Sequence, residues 1–217
     1  MKTARVLLIA LLTLCCGLSA YGLDDPKVAH AKYDELAARV RSGDTTVDWQ
    51  ALRLAAEVGD VAGDYDLRDA NQRGIKAFND GKFEDSLKIA NEMLEHNIGD
   101  GDGHFLAIIS LKHLGRQVDS DKEHAMLDAF FQSIMKSGDG KSAKTAWFTV
   151  NVHEEYLVIR LLLGLNLKSQ ALSHLDGHDY DVMKVTDDSG KESTLWFNTD
   201  TDMQKMADEI KATEGKK

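Results

Sequence analysis

Cysteine is almost absent from this chain of 217 residues. The only two, Cys15 and Cys16, stand side by side in an apolar stretch at the N-terminus. If that stretch is removed, no thiol remains. This excludes disulfide bonds, zinc-thiolate centres and cysteine nucleophiles. The stability of the remaining chain must then come from an ordinary hydrophobic core.

Long apolar runs are equally scarce, and the one at the N-terminus is typical of a signal peptide. Lys2 and Arg5 precede an apolar core at residues 6–14, and Ala20-Tyr21-Gly22 forms a small-x-small cleavage site. The core is too short to span a bilayer. We therefore predict a signal peptide at residues 1–22, cleavage after Gly22 and a periplasmic or secreted location. No membrane insertion is expected after cleavage.

Basic residues are outnumbered, which limits the classes of partner. The chain has 26 lysines and arginines against 36 aspartates and glutamates, a formal net charge of −10. Removing the signal peptide takes away two basic residues and no acidic ones, so the charge becomes −12. An acidic surface repels phosphate backbones and anionic lipid headgroups. We expect neither nucleic acid nor a membrane surface as a partner.

Helix signals dominate residues 24–136. Asp25 precedes Pro26, the single proline of the chain, and together they predict the start of a first helix that ends near Gly43. Asp48 predicts the cap of a second helix that ends at Gly59. Trp49, beside that cap, is expected to be a core residue.

A repeat follows in residues 67–136. Gly81 and Gly115 are 34 residues apart, which is the tetratricopeptide period, and Gly74 stands where such a repeat needs a small residue. The stretch resembles two degenerate tetratricopeptide repeats, with Ile108 replacing the small residue of the second. Two repeats do not close a core, because about three are needed for stability. We expect the rest of the chain to cap the open end.

Residues 137–212 read mostly as strands. We predict a strand at residues 145–152, a short buried helix at residues 153–163, a hairpin around Asp176-Gly177, a further strand at residues 193–198 and a helix capped by Asp200. The apolar side of the sheet is expected to face helices through a set of large residues: Trp147, Val150, Val182, Leu195 and Phe197. The predicted class is α+β and mostly helical, with tetratricopeptide-like hairpins, a small antiparallel β-meander and a C-terminal helix.

Catalytic and cofactor motifs are incomplete. Gly138-Asp139-Gly140-Lys141-Ser142 ends like a phosphate-binding loop, but Met135 stands where that motif needs its first glycine. A turn between the helices and the sheet is the better interpretation, and we predict no cofactor. His153-Glu154-Glu155 lacks the second histidine of the zinc-protease motif, since Leu157 occupies that place.

Two acidic and histidine-rich sets nevertheless remain candidate sites. His153, Glu154 and Glu155 are the candidate catalytic residues, although adjacent carboxylates point in different directions. The structural alternative places the glutamates in a first helical turn, where the helix dipole favours them. The candidate metal ligands surround the hairpin turn, where such residues also make ordinary turn hydrogen bonds: His174, His178, Asp179 and Asp181.

Several phrases of the sequence resemble an uncharacterised bacterial family. They are Val47-Asp48-Trp49 with Leu52-Arg53, Ser137-Gly138-Asp139-Gly140-Lys141-Ser142, Thr145-Ala146, His153-Glu154-Glu155-Tyr156, Gln170-Ala171-Leu172, Gly177, Tyr180-Asp181 and Leu195-Trp196-Phe197. That family is known only as a domain of unknown function, and it is typical of exported proteins of Gram-negative bacteria. The resemblance implies one exported module over residues 23–214 and brings no activity, ligand or catalytic residue with it.

Two hypotheses of function follow from the sequence. The first is a non-catalytic periplasmic interaction or scaffold module, which binds a protein or peptide in a groove of the helical hairpins at residues 67–136. The alternative is a hydrolase or metal-dependent enzyme that uses Glu154 or Glu155 with His153 and the His and Asp residues of the hairpin. The sequence favours the first, because it completes no catalytic motif. The sequence does not indicate an oligomeric state.

Overall fold

A computed structural model describes residues 22–214, so the predicted signal peptide, apart from Gly22, lies outside the described residues. Six helices come first along the chain, followed by a sheet and two more helices. No helix within this range is long and apolar enough to cross a membrane. The elements are α1 Pro26–Arg41, α2 Trp49–Val58, α3 Leu67–Asn79, α4 Phe83–His96, α5 Gly101–His113, α6 Gln117–Met135, β1 Trp147–Phe148, α7 Val152–Leu157, β2 Asn166–Leu175, β3 His178–Thr186, β4 Glu192–Asn198 and α8 Asp200–Glu214.

Aspartate caps define the starts of the early helices. The carboxylate of Asp25 accepts a hydrogen bond from the backbone N–H of Lys27, and that of Asp48 accepts one from Ala51. Each satisfies an N–H group that has no acceptor within the helix. Both predicted helix starts are confirmed. α7 continues into a π-helical turn at Val158–Leu162, so a helix is present where it was expected. It is buried only in part, because Leu161 and Leu162 are 37% and 39% exposed.

The two helical hairpins are confirmed, with α3 paired to α4 and α5 to α6. Gly81 and Gly115 end α3 and α5 with φ angles of 75° and 72°, a left-handed conformation that glycine adopts without strain. Gly74 lies at the contact between the hairpins. A Cβ atom there would lie 2.2 Å from Leu106 Cδ2, so only glycine permits this close approach. The spacing of 34 residues therefore arises because the two glycines stand at equivalent places, each after the first helix of a hairpin.

The sheet has four strands in the order β1-β4-β3-β2. Strands β2, β3 and β4 form the predicted antiparallel meander. β1 adds a parallel strand against β4, with Trp147 opposite Phe197, so the sheet is mixed. The strand predicted at residues 145–152 is confined to Trp147 and Phe148, because a tight turn precedes it and Asn151 caps α7 after it.

One face of the sheet packs on the helices in a single hydrophobic cluster. Met183, Val185, Leu195 and Phe197 share this cluster with residues of the helices. The prediction for Val182 is wrong, because β3 presents its odd-numbered residues to the helices and Val182 pairs with Trp196 on the other face. Successive side chains of a strand point to opposite faces of the sheet. An error of one position therefore moves a residue from the core face to the other face.

The cluster also joins the two halves of the chain. It includes Trp49 in α2, Phe130 in α6, and Trp147 and Phe148 in β1, each no more than 6% exposed. Trp147 further donates a hydrogen bond from Nε1 to the Gly138 carbonyl, which fixes the turn after α6 against the sheet. As expected, the aromatic residues of β1 lie where the helical hairpins meet the sheet.

We expect Gly74→Ala to destabilise the protein by about 1–3 kcal/mol, despite the higher helix propensity of alanine, because the new methyl group overlaps Leu106. Urea unfolding measures the change. The double variant Gly74→Ala/Leu106→Ala removes the overlap, so its loss of stability should be smaller than the sum of the two single losses. If the two losses of stability simply add, the contact with Leu106 is not the reason that glycine is needed at position 74.

Candidate functional site

A polar cleft of about 150 Å³ lies where the helical hairpins, α2 and α7 converge. Its walls come from the middle of α2, the N-terminal ends of α3 and α5, the start of α7 and one residue of α8. The lining is rich in charge for so small a space. The charged side chains and the histidine are Arg53, Glu57, Asp60, Arg68, Asp100, Asp102, His153, Glu154 and Lys205.

Arg53 is the most deeply buried charge in this cleft, with a side chain only 1% exposed. Its Nε donates to Ser133 Oγ at 3.0 Å, and its Nη1 donates to Glu154 Oε2. The guanidinium carbon lies 5.5 Å from the centre of the Phe130 ring, within the range of a cation–π contact. Nη2 has no hydrogen-bond partner in the part of the chain that the structure describes.

Glu154 is the partner that holds Arg53 in place. Its Oε2 also accepts the backbone N–H of Val150 at 2.9 Å, and its own N–H is capped by Asn151 Oδ1 at 3.2 Å. The start of α7 therefore fixes this carboxylate against α2. Burial raises the pKa of Glu154, and the positive charge of Arg53 opposes the rise without cancelling it.

A second group of polar contacts, around Glu57, lies at the edge of the cleft. Glu57, one turn after Arg53 in α2, accepts a hydrogen bond from Lys205 Nζ at 2.6 Å and one from Asn151 Nδ2 at 3.0 Å. These contacts connect α2 to α8 and to the cap of α7. Arg53 and Glu57 thus lie on one face of α2, four residues apart, as helical geometry requires.

Two carboxyl groups stand at the N-terminus of α5. Asp100 caps the helix by accepting the Gly103 N–H at 2.6 Å, and Asp102 lies in its first turn. Burial raises the pKa of Asp100 to about 7, and the charge of Asp102 adds to the rise. Burial also raises the pKa of Asp102, against the attraction of His153. α5 begins at Gly101, directly after its cap.

The structure separates the three predicted catalytic residues. His153 and Glu154 both line the cleft, whereas Glu155 points away from it, as expected for adjacent carboxylates. Glu155 is fully buried near Asp181 and accepts a hydrogen bond from Thr149 Oγ1 at 3.3 Å. Burial, with the charge of Asp181, raises the pKa of Glu155 to about 10. Glu154 and Glu155 therefore do not form a catalytic pair.

The predicted metal ligands form separate pairs at the hairpin. His174 Nδ1 lies 2.8 Å from Asp179 Oδ1, and His178 Nδ1 lies 2.6 Å from Asp200 Oδ2 at the start of α8. Asp181 accepts a hydrogen bond from Gln170 on the neighbouring strand. Across residues 22–214, no three His, Cys, Asp or Glu side chains are grouped to hold a metal ion. The arrangement does not support a metal centre there.

Comparison with known proteins identifies the family. The family model described as "Domain of unknown function (DUF4919)" matches residues 26–208. The chain belongs to this family. No curated protein and no solved structure matches it. The matched range contains every residue that lines the cleft and runs from the start of α1 into α8.

The central residue of the cleft in this DUF4919 chain, Arg53, was not among the residues predicted from its sequence. One signal was available, because Arg53 interrupts the apolar run Ala51-Leu52-Arg53-Leu54-Ala55-Ala56. A charged residue on a helix that is apolar nearly all round needs a buried partner. In the sequence, Asp100 and Asp102 show only the pattern of a helix cap. Nothing in their spacing indicates that α7 approaches them.

We expect Arg53→Met to lower the free energy of unfolding by about 3–5 kcal/mol, because it leaves Glu154 buried without its partner. The double variant Arg53→Met/Glu154→Gln removes both charges and should recover most of that loss. Urea unfolding of the two single variants and the double variant gives the coupling energy between the side chains.

The exposed pair of Lys76 and Asp80, 2.7 Å apart at the C-terminal end of α3, provides the matched control. A double-mutant cycle built from Lys76→Met and Asp80→Asn should show no measurable coupling energy between the two side chains, because solvent screens exposed ion pairs. Equal coupling in the two cycles would contradict a special role for the buried pair.

We expect the contribution of Asp100 to the stability of the protein to fall as pH rises through the titration of its carboxyl group. Its folded pKa of about 7 lies above the ordinary value of 3.8, so the folded state retains a proton that the unfolded chain releases. This stability is fully present below about pH 4. It is lost towards pH 7 at up to about 1.4 kcal/mol per pH unit.

Asp100→Asn tests this directly, because asparagine keeps the N-cap while losing the titration. Its unfolding free energy, measured in urea from acid to neutral pH, should fall less steeply than that of the wild type. Asp66→Asn, the same change at the exposed cap of α3, controls for the cap itself. Identical slopes for wild type and Asp100→Asn would contradict the expected effect.

Proposed function

We propose that this protein is a non-catalytic, exported binding module, and that its ligand site is the polar cleft at the junction of α2, α5 and α7. The observation that carries the proposal is Arg53, which lines the cleft and whose buried Nη2 has no hydrogen-bond partner among the described residues. A buried donor without an acceptor costs about 1–3 kcal/mol, and more when it is charged. A partner that supplies the acceptor on binding removes this cost, so the cleft gains affinity from an atom that the fold leaves unsatisfied.

The cleft is a better candidate than the groove predicted along the hairpins. Shallow, open grooves do lie along α4, one between the two hairpins and one within the first hairpin. Several of their charges are already paired, for example Lys88 with Glu92 and Arg116 with Asp119. Solvent can satisfy such exposed groups. The hairpins therefore serve here as the scaffold that brings the N-terminus of α5 to the cleft, and the bound group comes from a protein or peptide partner.

Export is part of this proposal and rests on the N-terminal sequence features. Burial of Leu23, at 3% exposed, supports a folded domain that begins just after the predicted cleavage site. The surplus of acidic residues is compatible with a protein–protein or peptide interaction and unfavourable for nucleic acid. On this view the mature module works outside the cytoplasm without a cofactor.

A second candidate function is an acid–base hydrolase, and one observation favours it. The Asp100 carboxyl, with its pKa raised to about 7, lies in the same cleft as Glu154 and His153. A carboxyl that titrates near neutral pH can both donate and accept a proton. The role of Asp100 as the cap of α5 accounts for its position without catalysis, so binding remains the preferred function. Turnover of a bound compound that Asp100→Asn abolishes would favour the hydrolase instead.

Affinity capture from the periplasm tests the proposed function. The tagged protein, expressed with its own signal, should begin at Leu23 and retain a stoichiometric partner. Arg53→Met/Glu154→Gln, which keeps a neutral and well-packed cleft, should lose that partner. Lys76→Met/Asp80→Asn, altered only at an exposed pair, should retain it. Equal recovery by all three proteins, or by none, would contradict binding through the cleft.

A further inference from the structure

Strand β2 presents a long open edge at one side of the sheet. It has 10 residues, and those from Lys168 to Leu172 are all exposed. The other side of the sheet ends in β1, which has two residues and whose Phe148 N–H already donates to Ser137 Oγ at 2.7 Å. An open strand edge is a template for pairing with a further strand. β2 is therefore the edge at which this sheet can be extended.

The hairpin turn determines which backbone groups of β2 point outward. The two-residue turn Asp176-Gly177 joins β2 to β3, with Leu175 paired to His178. The residues that close such a turn direct their N–H and C=O groups at each other, and this direction alternates along an antiparallel pair. Three residues of β2 therefore point these groups away from β3: Gln170, Leu172 and His174. No backbone hydrogen bond from the rest of residues 22–214 reaches them.

The same segment is apolar and lacks acidic residues. Of the eight large hydrophobic side chains that are exposed among the described residues, four fall in residues 161–175: Leu161, Leu162, Leu172 and Leu175. Leu172, in the middle of the outward-pointing set, is 56% exposed. Residues 158–175 contain Arg160 and Lys168 but no aspartate or glutamate, in a chain whose net charge is −10. Two copies of so acidic a protein therefore repel each other least when they meet along this segment.

β2 is complementary to itself when it is reversed about Leu172. Gln170 then lies opposite His174 of the second strand, so that their outward N–H and C=O groups match. Lys168 and Asp176 stand four residues on either side of Leu172 and carry opposite charges. A bulge at Lys168 ends the regular ladder there, which leaves this lysine at the end of the paired region. An unrelated strand offers the same backbone hydrogen bonds without this match of charges, so the edge favours a second copy.

We propose that β2 pairs antiparallel with β2 of a second copy of this chain, about a two-fold axis at Leu172. The two four-stranded sheets would then form one sheet of eight strands. The inference goes beyond the proposed function, because no residue of β2 lines the cleft. A single strand pair buries a small area by the standards of protein interfaces, so we expect a weak dimer with a Kd of about 1–100 µM.

Sedimentation equilibrium of the purified protein, at concentrations below and above this range, tests the dimer. Leu172→Lys should raise the Kd at least about tenfold, because it places two like charges directly opposite each other at the axis. Ile210→Lys, the same change at a side chain of α8 that is 53% exposed, should dimerise like the wild type. A wild type that stays monomeric throughout, or an equal Kd for wild type and Leu172→Lys, would overturn the proposal.

Two further measurements keep the Leu172→Lys result interpretable. Its urea unfolding at low concentration should match that of the wild type, because Leu172 is exposed in the monomer. It should also retain the partner that is captured through the cleft, so that failure of the dimer and failure of the proposed function are distinguished.

Amide hydrogen exchange, followed by NMR at low and high protein concentration, locates the interface. The N–H groups of Gln170, Leu172 and His174 should exchange rapidly in the monomer and become protected in the dimer. Those of Ala171 and Ser173, which face β3, should be protected in both states. A dimer without this alternating change would overturn the proposed edge. Protection that appears only when a different protein is bound would overturn it too, because the edge would then belong to that partner.

Discussion

The buried ion pair between Arg53 and Glu154 is the constraint on which the rest of this structure depends. It joins α2 to α7 across 101 residues of sequence and brings the helical part of the chain against the part that carries the sheet. Two charges in such a place are tolerated only when their other groups are also satisfied. Ser133, the Val150 backbone and the ring of Phe130 meet that requirement in part. One nitrogen of Arg53 remains without an acceptor.

The incomplete hydrogen bonding of Arg53 connects the stability of the fold with the cleft. The core around the pair is conventional, with aromatic and aliphatic residues from the helices and from one face of the sheet. An apolar pair of similar volume would satisfy such a core as well or better. Keeping a charged pair, with one buried donor that has no acceptor among the described residues, is costly for stability. The proposed ligand would offset this cost if it completed the hydrogen bonding, as polar groups inside binding sites do.

Much of the fold could be predicted from local signals. Asp25 and Asp48 begin their helices through hydrogen bonds to nearby N–H groups, and Gly81 and Gly115 end theirs in the left-handed region. Each effect acts within a few residues and is therefore visible in the sequence. The parallel pairing of β1 was not visible, since it depends on where α6 and the turn after it deliver Trp147. Val182 was assigned to the wrong face, because its strand alternates and both candidate faces hold apolar residues.

The site was predicted only in part, for a similar reason. Glu154 and His153 were recognised because acidic and histidine residues occur together there, but Arg53, Asp100 and Asp102 come from distant elements and acquire their meaning only in the folded chain. Glu155 was equally conspicuous in sequence but does not line the cleft and is buried near Asp181.

The most direct test of the buried pair and its proposed ligand is a high-resolution crystal structure of the protein purified from cells. We predict an acceptor atom of a bound ligand, not only water, within about 2.7–3.2 Å of Arg53 Nη2, with Nη1 still on Glu154. A protein acceptor at Nη2, or an Arg53 side chain turned away from the cleft, would contradict it.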